Sequence, residues 1–113
     1  SNKNCIRDFI YIDDVVNAII LALKNINKLN KPYYYIGSGK GHSLKQISQI
    51  IKDKYFEINP YKKISIKLIK KKLTKFDNRN FVANYKNFKN ITGWSPKISL
   101  QKGIGMTIAK MDK

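Results

Sequence analysis

The stretch from Arg7 to Leu23 constrains the fold of this chain more than any other. Phe9, Ile10, Tyr11 and Ile12 are aromatic or β-branched in succession, the composition of a short strand. Asp13 and Asp14 follow at the point where a helix would begin. A carboxylate there accepts hydrogen bonds from the first, otherwise unpaired amides and complements the positive end of the helix dipole. Val15, Val16, Ile19, Ile20 and Leu23 then recur on one helical face, with Asn17 and Lys24 off it. The pattern predicts a strand, an acidic cap and an amphipathic helix with that face turned inward. Arg7 stands at the entrance.

The remaining chain alternates in kind. Lys24 to Pro32 reads as a loop, Tyr33 to Ile36 as a short strand, and Gly37 to Gly41 as the turn leaving it. Ser43 with Gln46 three residues later forms a capping box for a second helix, with Leu44, Ile47, Ile50, Ile51 and Tyr55 inward and Asn59-Pro60 as its stop. Ile64, Ile66 and Leu68 alternate with polar residues as a half-wet strand would, and Leu73 to Asn80 is a polar loop. Tyr85 to Thr92 is a short helix ended by Gly93. Ser99 caps a last helix that carries Leu100, Ile104, Ile108 and Met111 inward. The fold class is α/β, a small mixed unit of short strands and about four helices. Residues 1–5 read as a polar lead-in of the kind an expression tag leaves, and 6–113 as the domain.

Hydrophobic content of 42% in 113 residues supports a core and argues against disorder. No apolar run approaches the roughly 20 residues that cross a bilayer, so no membrane partner is expected. The single cysteine, Cys5, cannot form an intramolecular disulfide, which fits a reducing, cytoplasmic setting. The net charge of +16 pulls toward nucleic acid. Against that pull, only Arg7 and Arg79 are arginine beside 21 lysines. Nucleic-acid readers favour the planar arginine fork. Most of the lysines read as a solvated surface, although Lys70-Lys71-Lys72 with Lys75 is a local concentration.

Three blocks in order resemble the C-terminal part of extended short-chain dehydrogenase/reductases, the NAD-dependent nucleotide-sugar epimerases and dehydratases. Arg-Asp-Phe-Ile-Tyr-Ile-Asp-Asp-Val from Arg7 to Val15 is similar to the motif that opens that part. Tyr34 to Gly39 followed by Ser43-Leu44 is similar to its Tyr-Asn-Ile-Gly-Ser-Gly strand and the helix after it. Ala83-Asn84 through Thr92-Gly93-Trp94-Ser95-Pro96-Lys97, with Leu100 and Gly103-Ile104 beyond, resembles its ending. The resemblance implies the substrate-binding portion of such an enzyme without its Rossmann domain, which in the parent holds NAD(P) and carries the catalytic tyrosine and lysine.

By that resemblance Arg7 contacts the diphosphate of a nucleoside-diphosphate sugar, a role that suits the paired, charge-assisted bonds of a guanidinium. Family members often carry Arg-Pro-x-Asp on phosphate where this chain has Thr74 followed by Lys75. The departure leaves the second phosphate clamp to Arg79 or Lys75. Asn84 replaces a usual aspartate, so a hydrogen bond survives there and a charge pair does not.

Other constellations read as structural. The glycines at 37, 39 and 41 would need a third fingerprint glycine at His42, and the Walker spacing is absent, so the turn is not read as a phosphate cradle. Tyr85 and Lys89 have the spacing of the family's catalytic pair but fall in its late, non-catalytic segment. Trp94 and Pro96 read as core and turn. No residue here is expected to be catalytic, to bind the cofactor or to ligate metal, and the chain alone is expected to be inert. Without a covering Rossmann neighbour it would expose a face prone to self-association. The alternatives are a basic nucleic-acid-binding module, which requires the lysines to converge on one face, and a free-standing interaction domain.

Overall fold

The computed structural model describes residues 5–69 and 79–111, so Lys70 to Lys72, Lys75 and most of the Leu73–Asn80 loop lie outside the described residues. The elements run β1 (Ile6–Asp8), α1 (Ile12–Lys24), β2 (Gly41–Ser43), α2 (Leu44–Ile58), α3 (Lys86–Thr92) and α4 (Leu100–Met111). This is the small mixed α/β unit with four helices that the sequence predicts. β1 and β2 pair antiparallel, with Arg7 directly opposite His42. The Ile6 carbonyl accepts from the Phe81 amide at 2.9 Å, and the Ile6 amide donates to Asn80 Oδ1 at 2.9 Å. The segment leading to α3 therefore lies along the other edge of β1.

Local signals fix the helix ends. Ser43 Oγ accepts from the Gln46 amide at 3.2 Å while Gln46 Oε1 accepts from the Ser43 amide at 2.8 Å, a closed capping box. Ser43→Ala is expected to cost about 1 kcal/mol of stability, seen as a lower urea midpoint at constant slope. Gly93 ends α3 at φ 75°, a left-handed position open to glycine. Ser99 Oγ accepts from the Lys102 amide at 3.2 Å and starts α4. At the far end of α4, Lys110 Nζ donates to Tyr11 Oη at 3.1 Å, which holds that ammonium's pKa above its usual value.

The core is Ala18, Phe88 and Trp94, with Ile10, Leu21, Ala22, Tyr34, Ile36 and Tyr85 packed against it. Trp94 receives the Tyr85 and Phe88 rings edge-on at 5.3 and 5.9 Å between centroids, the arrangement that ring quadrupoles favour. It is core, as its sequence context suggests. Separately, α2 packs on α4.

The structure corrects several expectations. The strand is Ile6–Asp8 rather than Phe9–Ile12, because β2, its ladder partner, reaches only Gly41–Ser43. Tyr11 is the α1 N-cap, without a side-chain cap bond, so the two aspartates do not cap the helix. The buried line of α1 is Asp14 and Ala18, whereas Val16, Ile19, Ile20 and Leu23 are exposed. Apolar residues occur on both sides of this helix, and the small Ala18 is the one that permits close approach to the aromatic core. Tyr33–Ile36 and Ile64–Leu68 form no strand, and neither stretch makes a backbone–backbone hydrogen bond among the described residues. A strand needs a partner segment in register, and among the described residues neither stretch has one. On α2 no residue is fully buried, and Leu44 is exposed; on α4, Met111 points to solvent.

Candidate functional site

The site is built around a carboxylate. Asp8 closes β1, and its Oδ1 accepts from the Ser38 amide at 2.8 Å and Ser38 Oγ at 2.6 Å. Its Oδ2 accepts from the Gly39 amide at 3.0 Å and the Ala83 amide at 3.1 Å. Four donors on one carboxylate tie together three chain segments that are far apart in sequence. The fit is close: a Cβ on the buried Gly37 would collide with the Ala83 methyl and stand 2.6 Å from Asp8 Oδ2. Gly39 adopts φ 75°, which turns its amide toward the carboxylate. The amides with which this turn could cradle a phosphate are thus occupied by Asp8.

Arg7 precedes that carboxylate on β1, half-buried, with Nη1 donating to the Ile6 carbonyl at 3.1 Å. Neighbouring residues of a strand project to opposite faces. Asp8 therefore turns toward the Ser38 loop while Arg7 shares the other face with His42. Arg79 is exposed and immediately precedes Asn80 and Phe81, the residues that bind β1 at Ile6. Its backbone is thereby brought beside that of Arg7, the other candidate clamp. Lys75, the third candidate, lies outside the described residues. Asn84 keeps a structural bond, its Oδ1 accepting from the Lys86 amide at 3.1 Å.

A second carboxylate holds the other half. Asp14 is 1% exposed; its Oδ1 and Oδ2 accept from the Lys97 and Ile98 amides at 3.0 and 2.9 Å. Its carbonyl accepts from Trp94 Nε1 at 3.0 Å. Sequence alone marks Asp14 only as a helix cap and gives Asp8 no site role. The signal that could have found Asp8 is the glycine turn itself: successive turn amides form a concavity that needs an anion, and acids are scarce in this chain.

The three sequence blocks that carry the family resemblance are the three segments Asp8 joins: Arg7-Asp8, Ser38-Gly39 and Ala83. That architecture is the C-terminal part of an extended short-chain dehydrogenase/reductase. Residues 1–107 match the family described as GDP-mannose 4,6 dehydratase, and the chain belongs to it. Over 105 residues it is 27% identical to CDP-paratose 2-epimerase of Salmonella typhi, covering 91% of this chain and 29% of the relative. It is 33% identical over 102 residues to CDP-abequose synthase of Salmonella muenchen, covering 87% and 31%. Among solved structures it resembles the Bordetella bronchiseptica enzyme WbmF in complex with NAD+ and UDP, at TM-score 0.67 and 25% identity over 99% of this chain and 30% of that one. The chain thus spans about a third of the length of these relatives.

Proposed function

We propose that this chain is the nucleotide-sugar-binding end of an NAD(P)-dependent epimerase or dehydratase, with Arg7 on the substrate diphosphate and Arg79 or Lys75 as the second clamp. The observation that carries this reading is the Asp8 junction, which sets Arg7 on a strand whose other edge receives Asn80 and Phe81, next to Arg79. The UDP held by WbmF and the CDP-sugar names of the two relatives support a nucleoside diphosphate as the ligand.

The uncovered side of α1 supports a further portion. Ile12, Ile19 and Leu23 are 61%, 56% and 68% exposed, and Tyr33–Ile36 makes no backbone–backbone hydrogen bond among the described residues. Apolar stripes and open strand edges are features that folded proteins cover. In our reading a Rossmann portion lies there, holds NAD(P) and brings the tyrosine and lysine that move protons, while this end grips the substrate. Alone, the chain is inert, and the same face favours self-association. No helix among the described residues is long and apolar enough to cross a membrane. With a single cysteine in the sequence, the reading is a cytoplasmic enzyme.

Calorimetric titration of the complete enzyme with UDP, CDP and dTDP tests the clamp. Hydrogen bonds to a charged group contribute about 1.5–3 kcal/mol, so Arg7→Ala is expected to raise Kd by about 10- to 100-fold. An unchanged Kd for all three nucleotides would remove Arg7 from the site.

A further inference from the structure

We propose that the groove between the Ser38–Lys40 turn and the Pro96–Gln101 segment binds a small molecule carrying two or more phosphoryl groups, at a site separate from Arg7. The groove encloses about 450 Å³, within the range of small-ligand clefts. Lys40 and His42 line it from one wall and Lys97 from the other, and Ser99 and Gln101 add neutral polar groups. No carboxylate lines it. Beyond a ridge formed by Ser38, Lys40 and Tyr85 lies a second hollow of about 540 Å³ that adds Lys86 and Lys89, again without an acidic lining residue.

Two features separate this arrangement from scattered surface lysine. First, its charge is not cancelled by ion pairing: the salt bridge among the described residues is Lys54–Glu57, on α2. Like charges held together on one surface raise its potential, and a polyanion relieves that repulsion. Second, both walls are fastened. Asp8 holds the Ser38 and Gly39 amides on one side, and Asp14 holds the Lys97 and Ile98 amides on the other. The lysines therefore rise from backbone whose spacing is preset, which reduces the ordering cost of binding. A single exposed lysine–phosphate contact is weak in water. A ligand with several phosphoryl groups can engage Lys40 and Lys97 together.

The test is an amide NMR titration of the 113-residue chain with inorganic tripolyphosphate, and in parallel with orthophosphate. Saturable shifts are expected at 38–42 and 97–101, tighter for tripolyphosphate and weaker as salt rises. The double variant Lys40→Gln/Lys97→Gln should raise Kd about tenfold or more. Lys40→Arg/Lys97→Arg should restore binding, which separates lost charge from lost structure. UDP affinity of the complete enzyme should be unchanged in Lys40→Gln/Lys97→Gln, so this site and the diphosphate clamp stand or fall separately. Equal weakening by Lys62→Gln/Lys63→Gln, outside both linings, would show diffuse charge and overturn the site. Shifts centred on Ile6 and Arg7, or tighter binding of a single-stranded oligonucleotide, would overturn it as well.

Discussion

Asp14→Ala is expected to destabilise the chain by about 3–5 kcal/mol. The carboxylate is buried, and its removal leaves the Lys97 and Ile98 amides without their acceptor. An orphaned buried donor costs about 1–3 kcal/mol, and charge-assisted bonds lie at the upper end. The loss also frees the segment that follows Trp94, whose indole is fastened to the carbonyl of the same residue. Asp14→Asn separates geometry from charge. Its amide oxygen can replace one acceptor, but its NH2 then faces a backbone N–H, so about 1–3 kcal/mol is expected. Urea unfolding read by tryptophan fluorescence measures both. A loss under about 1 kcal/mol for the alanine variant would mean that water satisfies those amides.

Asp8→Ala is expected to loosen the site more than the fold. It removes the acceptor for three amides and one hydroxyl in segments that lie far apart in sequence. Because this carboxylate is half-buried, with Gly39 at the surface, the stability cost is set at about 2–3 kcal/mol. Hydrogen exchange should show the Ser38, Gly39 and Ala83 amides losing protection while the Lys89 and Gly93 amides, bonded to the Tyr85 and Lys89 carbonyls, keep theirs. In the complete enzyme, nucleotide affinity should fall by about tenfold or more, because Arg7 and the Asn80–Phe81 segment lose their common support. Retained protection at Ala83 would show that the three segments are held together by something other than Asp8.

Both residues lie in the Arg7–Leu23 stretch, and the actual work of Asp14 differs from the capping that the order of residues suggests. Asp14 stands where a helix cap would, yet the N-cap is Tyr11 and the Asp14 carboxylate reaches residues 97 and 98. The same stretch misleads about burial. Its apolar residues ring enough of α1 that period alone selects the Val16, Ile19, Ile20 and Leu23 side, whereas the aromatic core meets Ala18. The Tyr33–Ile36 run has a strand's composition and no strand, because pairing belongs to two segments and composition to one.

What the sequence determined alone is the local part: the Ser43–Gln46 capping box, the Gly93 stop and the Ser99 cap. With these came the family, carried by three blocks in order. Each of those local features closes within three or four residues, where covalent geometry leaves few alternatives. Tertiary structure alone decided that Asp8 reaches across 30 and 75 positions and Asp14 across 83 and 84. It also chose the face that α1 buries. A carboxylate accepts from whichever amides the finished fold brings to it, so its partners become defined only when distant segments are packed together.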